Sequence, residues 1–114
     1  ISLKLIIAAI KPYKLDEVRE ALINIGAPGM MISEIKGFGR QSGHTEIYRG
    51  AEYSVNFVPK TRLELVVEDK NAEHVANIIQ KTASTDKFGD GKIFILNVQE
   101  AIRICTGETG HGAL

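Results

Sequence analysis

Alternating runs of apolar and polar residues predict the first two elements of the chain. A strand over residues 3–10 is apolar on both faces apart from Lys4, and Pro12 ends it. Apolar residues then recur at three- and four-residue steps, as on one face of a helix. These residues are Leu15, Val18, Leu22 and Ile25. Gly26 directly follows this pattern and predicts the C-terminal end of the helix.

A long polar segment separates the next two predicted strands. Residues 30–38 form the second strand, extended chain resumes over 54–58, and after an interruption at Pro59 the third strand continues over 61–67. The segment between them, at about 37–55, is rich in glycine and charge, carries two tyrosines and has no apolar periodicity. Because a compact domain rarely holds so long an irregular loop without a use for it, we interpret this segment, the arm, as a mobile element that presents its tyrosines to a partner.

The last two elements complete a ferredoxin-like arrangement. Asp69 or Asn71 is expected to cap a second helix, and residues 92–98 form the fourth strand. The inward side of this helix is predicted to consist of Ala72, Val75, Ile79 and Ala83. Two right-handed strand–helix–strand crossovers then give an α+β fold, βαββαβ, with an antiparallel sheet and both helices on one face. We expect a single domain over residues 1–114.

The first and last predicted strands carry apolar residues on both faces. Two helices cover only one face of the sheet, so the other face needs a second cover. In a chain of 114 residues the simplest cover is another subunit, which predicts a homo-oligomer. The alternative is that the C-terminal residues fold back over the sheet.

Composition narrows the classes of function. The 14 basic and 14 acidic residues cancel, so no overall field favours nucleic acid, and the predicted strands lack the aromatic pairs that stack on RNA bases. The single cysteine excludes an internal disulfide and fits a reducing compartment. No apolar run reaches the roughly 20 residues that a membrane span needs, and we expect no signal peptide. We expect a cytoplasmic protein that does not bind nucleic acid.

Two further glycine-rich clusters accompany the arm. The first follows the second predicted helix and reads Gly89-Asp90-Gly91-Lys92. Its backbone N–H groups can approach an anion closely and its lysine adds charge, although such a sequence alone is more often a plain hairpin turn. The second places Arg103 near Gly107, and alone it is typical of a solvated C-terminal segment. Together, three glycine-rich clusters with basic residues favour a phosphate or nucleotide site.

Residue types typical of catalysis are scattered along the chain. His44 lies in the arm, His74 on the second helix and His111 near the end of the chain, without the spacing of metal ligands. Cys105 has no sequence signature of a nucleophile. We therefore expect no catalytic residues and no enzyme activity.

Two separated signatures resemble those of the nitrogen-regulatory PII signal-transduction proteins. The first, a modification-site signature, is Tyr48-Arg49-Gly50-Ala51-Glu52-Tyr53, and the second spans residues 85–94. Lys11-Pro12, Lys36-Gly37-Phe38-Gly39-Arg40-Gln41 and Arg103 with Thr106-Gly107-Glu108 match as well, so the resemblance covers almost the whole chain in order. It implies a ferredoxin-like homotrimer with three clefts between subunits. Each cleft would bind ATP or ADP competitively, and 2-oxoglutarate together with MgATP, and the arm would be the family's T-loop, which docks onto targets.

The resemblance also implies site residues, position by position. The nucleotide contacts would be Gly37, Gly39, Arg40, Val66, Gly89, Asp90, Gly91, Lys92 and Arg103. The 2-oxoglutarate contacts would be Lys11, Gln41, Lys60 and Gly89. The side-chain oxygen of Gln41 would ligate Mg²⁺, and Lys60 would pair with a carboxylate of the effector. Tyr53 matches the tyrosine that is uridylylated in many bacterial members, and Tyr48 and Arg49 would contact partners.

The partners implied by the resemblance are an ammonium transporter, glutamine synthetase or the enzymes that modify it, and nitrogen-control kinases. Arg49 would enter the transporter pore, which would be the only contact with a membrane, and a uridylyltransferase would act on Tyr53. Two residues depart from the family pattern. Cys105 stands where a second arginine is common, which predicts weaker ATP binding or an altered ATP/ADP preference. Ala51 replaces the serine of members that are phosphorylated there, which excludes that modification.

Two other functions compete with this hypothesis. The first is a nucleotide-binding enzyme that uses the same cleft, such as a phosphotransferase or a slow ATPase. The absence of a nucleophile or base near the glycine clusters argues against it. The second is a divergent PII-like sensor of another small molecule, such as an adenylyl nucleotide or bicarbonate, and the presence of Gln41 and Lys60 argues for 2-oxoglutarate instead.

Overall fold

The computed structural model describes residues 2–38, 45–48, 51–54 and 57–114, the second and third of these ranges by their backbone alone. Within these ranges the chain forms six strands and two α-helices. In chain order they are β1 (Leu3–Ile10), α1 (Leu15–Asn24), β2 (Met31–Phe38), β3 (Thr45–Tyr48), β4 (Ala51–Ser54), β5 (Phe57–Glu68), α2 (Asp69–Ala83) and β6 (Gly91–Val98). Short 3-10 turns cover Pro12–Lys14 and Gly110–Ala113.

Four of the strands form one antiparallel sheet in the order β2-β5-β1-β6. Strand β1 lies inside the sheet, with Ile6 opposite Leu65 of β5 on one side and Ile95 of β6 on the other. Because each helix follows a strand and returns the chain to the same sheet, both helices pack on one face. This arrangement confirms the predicted ferredoxin-like α+β fold.

The hydrophobic core lies between the sheet and the two helices. All four residues of the predicted inward stripe of α2 are buried, and so are Val18 and Leu22 of α1. The strands contribute Ile6, Ala8, Ile10, Leu63, Leu65 and Val67 to the same cluster. Burying a large aliphatic side chain stabilises the fold by about 1.5–3 kcal/mol, so this layer supplies most of the packing energy.

The end of α1 follows from Gly26, as the sequence predicted. Gly26 has φ +74°, and its N–H donates to the carbonyl of Ile23 at 3.0 Å. The N–H of Ala27 donates to the carbonyl of Leu22, also at 3.0 Å. These two bonds form a Schellman motif, which satisfies carbonyls that the helix leaves without partners. The chain then turns back towards β2.

The start of α2 differs from the prediction of a side-chain cap. The helix begins at Asp69, and the cap position is occupied by Glu68, whose side chain makes no capping hydrogen bond. Instead, the N–H of Asp69 donates to the carbonyl of Ser2 at 2.9 Å, so the backbone of a neighbouring segment replaces the cap. The charge of Asp69 in the first turn also suits the helix dipole. None of the helices in the described ranges is both long and apolar enough to span a membrane.

The predicted interruption at Pro59 is wrong, because β5 runs without a break through this residue. Pro59 is paired with Lys36 of β2, whereas the pairing of β5 with β1 reaches only to Thr61, opposite Ile10. At Pro59 the strand therefore has a partner on one side only in the described part of the chain. Proline is tolerated in such an edge position because the N–H that it lacks is not needed for a second ladder.

Part of the arm is more regular than the sequence predicted. Strands β3 and β4 pair as an antiparallel hairpin, from Thr45 opposite Ser54 to Tyr48 opposite Ala51. Backbone pairing needs no apolar stripe, which is why the absence of periodicity was a poor guide here. Residues 39–44, 49–50 and 55–56 lie outside the described ranges, and the mobility of the arm stays a prediction.

The face of the sheet opposite the helices is apolar and open in the single chain. Leu5 lies opposite Leu96, and Ile7 lies opposite Phe94. Phe94 is 53% exposed and Leu96 44% exposed. The C-terminal turn reaches one end of the sheet, where His111 contacts the Glu68 carboxylate at the junction of β5 and α2. The C-terminal residues leave Phe94 and Leu96 exposed, so a second cover for this part of the face is still needed.

Candidate functional site

The loop between α2 and β6, residues 84–90, is organised around one carboxylate. Both oxygens of Asp90 accept hydrogen bonds from within this loop: Oδ2 accepts from the N–H of Thr85 at 2.7 Å and from the N–H of Lys87 at 3.3 Å. Oδ1 accepts from the hydroxyl of Thr85. The backbone has positive φ at Asp86, Gly89 and Gly91, which folds the loop tightly enough for these contacts.

Gly91 is the position where the loop joins the sheet, and no larger residue fits there. Its φ is +111°, and a Cβ at this position would lie 1.7 Å from the carbonyl oxygen of Ala9. The glycine lets β6 begin in direct contact with β1, where Gly91 lies opposite Ile10. The close approach brings the loop against the C-terminal end of β1.

Two lysines from different elements converge on this loop. The ammonium group of Lys11, at the end of β1, lies 3.2 Å from Asp90 Oδ1 and 3.3 Å from the hydroxyl of Thr85. The ammonium group of Lys60, on β5, donates to the carbonyl of Gly89. Gly37 on β2 leaves space for this lysine, because a Cβ there would lie 3.3 Å from Lys60 Cγ. We call these residues, Lys11, Lys60, Thr85, Gly89 and Asp90, the lysine–loop cluster.

The cluster shifts the pKa values of two of its members. Partial burial lowers the pKa of Lys60, the neighbouring charge of Lys11 lowers it further, and Asp90 acts in the opposite direction. The hydrogen bonds from the side chain and backbone of Thr85 hold the pKa of Asp90 well below its usual value, and Lys11 and the Lys87 N–H act in the same direction. Two ammonium groups against one carboxylate leave an excess of positive charge beside the loop.

A cavity of about 280 Å³ adjoins the loop on the side of α2. Its lining combines the apolar ends of β1 and α2 with polar groups of the loop and of β6. Ala9, Gln80, Ser84, Asp90, Gly91 and Lys92 are among the lining residues. The start of β6 therefore has free space next to it, with Lys92 at its rim.

The structure brings together five of the residues that the resemblance singled out: Lys11, Lys60, Gly89, Asp90 and Gly91. Lys92 and Gly37 adjoin this group. Val66 lies on the open face opposite Leu5, and it is half-buried. Gly39, Arg40, Gln41 and Arg49 lie outside the described residues. The backbones of Tyr48 and Tyr53 are described, opposite Ala51 and Glu46 respectively.

Arg103 does not contact the lysine–loop cluster of its own chain. Its Nε donates to the carbonyl of Gly112 at 3.4 Å, and its Nη2 donates to the carbonyl of Leu114. Cys105, two residues further along, is exposed. The family resemblance implied that Arg103, Gly89 and Lys92 bind phosphates together, and within one chain Arg103 does not contact the other two.

Thr85 is the member of the cluster that the sequence analysis did not select. It belongs to the second signature, but its part in the site depends on a turn that brings it back to Asp90, five residues later. A hydroxyl residue ahead of a Gly-Asp-Gly sequence is the only signal that the chain offers. A tight glycine turn with an Asp acceptor would have made it a candidate.

Fold and site together define a ferredoxin-like domain with a basic, glycine-rich loop beside the base of a long hairpin. The family model of the nitrogen regulatory protein P-II matches residues 3–108. The P-II protein of Rhizobium meliloti (strain 1021) is 58% identical over 112 residues, 98% of this chain and 100% of that protein. GlnK of Escherichia coli (strain K12) is 53% identical, with the same coverage of both chains. The crystal structure of Arabidopsis thaliana PII bound to citrate matches with a TM-score of 0.82 and 34% identity, over 99% of this chain and 92% of that one.

The chain therefore belongs to the nitrogen regulatory protein P-II family. It is a PII-type signal-transduction regulator of nitrogen metabolism and not an enzyme, as the sequence predicted. Such a regulator responds to small molecules and acts on target proteins.

Proposed function

We propose that this regulator senses ATP or ADP and 2-oxoglutarate at the lysine–loop cluster. The observation that carries the proposal is the convergence of Lys11 and Lys60 on one glycine-rich loop. The Lys60 ammonium group rests on the neutral carbonyl of Gly89. A carboxylate of the effector would offer a charged acceptor in place of this neutral one, so that both partners of the hydrogen bond would be ionised.

The class of effector follows from the charges of the cluster. Two ammonium groups face one carboxylate, so the cluster can accept a further anionic group without a net excess of negative charge. The related Arabidopsis protein was crystallised with citrate, a small polycarboxylate. This supports a carboxylate ligand of similar size for the present chain, and 2-oxoglutarate meets that description.

The nucleotide is proposed to lie along the start of β6. Gly89, Gly91 and Lys92 would bind its phosphates, with Asp90 in the same loop. Gly37 and Val66 would border the adenine ring. From the arm, Gly39 and Arg40 would add contacts, and Gln41 would ligate Mg²⁺ and join the effector site. The oxygen of an amide side chain is a suitable ligand for this hard cation.

The binding clefts are proposed to lie between the subunits of a homotrimer. The support is the open apolar face with Phe94 and Leu96, because an exposed face of this kind marks a protein–protein contact. In such an assembly Arg103 would bind phosphate in the cleft of a neighbouring subunit, which accounts for its separation from Gly89 within one chain.

The output of the sensor is proposed to be the arm. Ligands that favour one arm conformation would change the affinity for targets by the same free energy. The targets would be an ammonium transporter, glutamine synthetase or its modifying enzymes, and nitrogen-control kinases, with Tyr48 and Arg49 in the contact. Uridylylation at Tyr53 and a cytoplasmic location belong to the same proposal.

Titration calorimetry tests the proposal directly. We expect 2-oxoglutarate to bind the wild-type protein in the presence of MgATP and to bind poorly without it. Lys60→Met should weaken effector binding by about 10- to 100-fold, the equivalent of losing one charge-assisted hydrogen bond of about 1.5–3 kcal/mol. Lys81→Met is the matched control, since Lys81 is an exposed lysine in the last turn of α2 that makes no hydrogen bond or ion pair with the cluster in the described residues.

Failure of 2-oxoglutarate to bind in the presence of MgATP would reject the proposed effector. Bicarbonate and adenylyl nucleotides would then be titrated against the same protein, because a divergent sensor would respond to one of them. Equal binding of 2-oxoglutarate by the Lys60 and Lys81 variants would be consistent with the proposed effector but would show that Lys60 does not contribute to its binding.

A further inference from the structure

Asp90 has no capacity left for a ligand. A carboxylate offers about four lone-pair positions. Each Asp90 oxygen already has two partners: Thr85 Oγ1 and Lys11 Nζ at Oδ1, and the N–H groups of Thr85 and Lys87 at Oδ2. Its negative charge would also repel the phosphates of a nucleotide. A role in nucleotide binding must therefore be exerted through the groups that it holds.

The groups that Asp90 holds are the loop, proposed to bind phosphate, and Lys11, proposed to bind the effector. Through Thr85 and Lys87, Asp90 closes the loop whose far end carries Gly89 and Gly91. Through Lys11, it ties the same loop to the end of β1. Lys60 reaches the loop independently, at the carbonyl of Gly89. One side chain thus fixes the backbone offered to phosphate and one of the two lysines offered to the effector.

We propose that Asp90 is a positioning residue, which holds the loop of residues 84–90 and Lys11 in the geometry that binds MgATP without touching the nucleotide itself. This inference deepens the proposed function and rests on it. It predicts that removal of the Asp90 charge weakens nucleotide binding, which is opposite to the electrostatic expectation. Removing a negative charge beside a phosphate site should strengthen nucleotide binding by electrostatics alone, whereas loss of a positioning contact should weaken it.

Asp90→Asn distinguishes the two effects, and Asp86→Asn is its matched control. Asp86 is an exposed carboxylate in the same loop whose side chain meets only the hydroxyl of Ser84, at 3.3 Å, among the described residues. Its φ of +59° is tolerated by asparagine. In calorimetry with MgATP, we expect Asp90→Asn to weaken binding about tenfold, as for a partly buried group that loses a charge-assisted hydrogen bond. Asp86→Asn should remain within about twofold of the wild type.

A spectroscopic signature separates positioning from general damage. In the ligand-free protein, the amide protons of Thr85 and Lys87 should lose their exchange protection and shift upfield in Asp90→Asn, while those of β1 keep their wild-type values. Thr85→Val and Thr85→Ser form a second pair that leaves the Asp90 charge in place. The valine variant should bind MgATP more weakly than the wild type, and the serine variant should restore binding.

Several results would overturn the inference. It is wrong if Asp90→Asn binds MgATP as tightly as the wild type or more tightly, or if the Thr85 and Lys87 amides are unchanged. Should Asp90→Asn fail to fold, equal MgATP binding by the valine and serine variants at Thr85 would reject it. A wild-type protein that binds no MgATP refutes the proposed function instead, and the amide signature then decides separately whether Asp90 holds the loop.

Discussion

Replacing Gly91 with alanine should destabilise the chain more than an equivalent replacement at any open glycine. Two penalties add at this position. The backbone has φ +111°, and holding a non-glycine residue in such a sparsely populated region costs about 1–3 kcal/mol. The new Cβ would also lie 1.7 Å from the carbonyl oxygen of Ala9, so β6 must move away from β1 at this end.

The second penalty can be related to the ladder between β1 and β6. Separating the strands at the Ile10–Gly91 pair breaks about two backbone hydrogen bonds, at about 1 kcal/mol each. Together with the backbone strain, the expected loss is about 3–5 kcal/mol. This is a large fraction of the total stability of a small domain, which is about 5–15 kcal/mol.

Gly26→Ala isolates the backbone term. Gly26 also has a positive φ, of +74°, but a Cβ there would meet no atom within 4 Å. Urea unfolding of both variants at one protein concentration should therefore show a modest loss for Gly26→Ala and a loss at least 2 kcal/mol larger for Gly91→Ala, if about two hydrogen bonds break. Equal losses would refute the argument, because they would mean that the loop moves aside without cost.

Three further predictions address the core, the loop and the open face. Ile79→Ala, in the fully buried part of α2, should cost about 2–5 kcal/mol in urea unfolding. The free energy of unfolding of the wild type should exceed that of Asp90→Asn by its full margin above pH 3.8, and this margin should decline as the pH falls further. The reason is that the pKa of the Asp90 carboxyl is lowered in the folded state. A constant margin across this range would contradict the lowered pKa. If the open face is a subunit contact, Phe94→Asp should reduce the mass by light scattering to the 12.5 kDa of one chain, whereas Ile23→Asp, on the exposed side of α1, should leave the assembly intact.

The layers of the fold were predictable because burial imposes a period on the sequence. The stripe of α2 and the end of α1 at Gly26 needed only the spacing of apolar residues and one glycine. The hairpin of β3 and β4 was missed, since backbone pairing alone imposes no such period on the sequence. Continuity through Pro59 was missed for another reason. It depends on where β1 stops pairing, and that is a property of the sheet rather than of the strand.

The site was predictable by residue type more than by geometry. Lys11, Lys60 and the glycines of the loop were selected from the family resemblance, and they meet in the folded chain. The part played by Asp90 could not be read from its neighbours in sequence, because its partners depend on how the turn closes. Arg103 is a residue whose predicted neighbours differ from those in the folded chain, where it donates to the carbonyls of Gly112 and Leu114.

The number of strands that pair with β5 changes along its length. From Thr61 to Glu64 it pairs with β1 on one side and β2 on the other. From Phe57 to Pro59 it pairs with β2 alone in the described part of the chain. Lys60 lies where the pairing with β1 ends, next to the buried Thr61. A ligand that moved Lys60 would act at the point where β5 loses one of its two neighbours, and β5 itself would connect that point to the base of the arm. Such an effect on the arm would need no contact between the ligand and the tip of the arm.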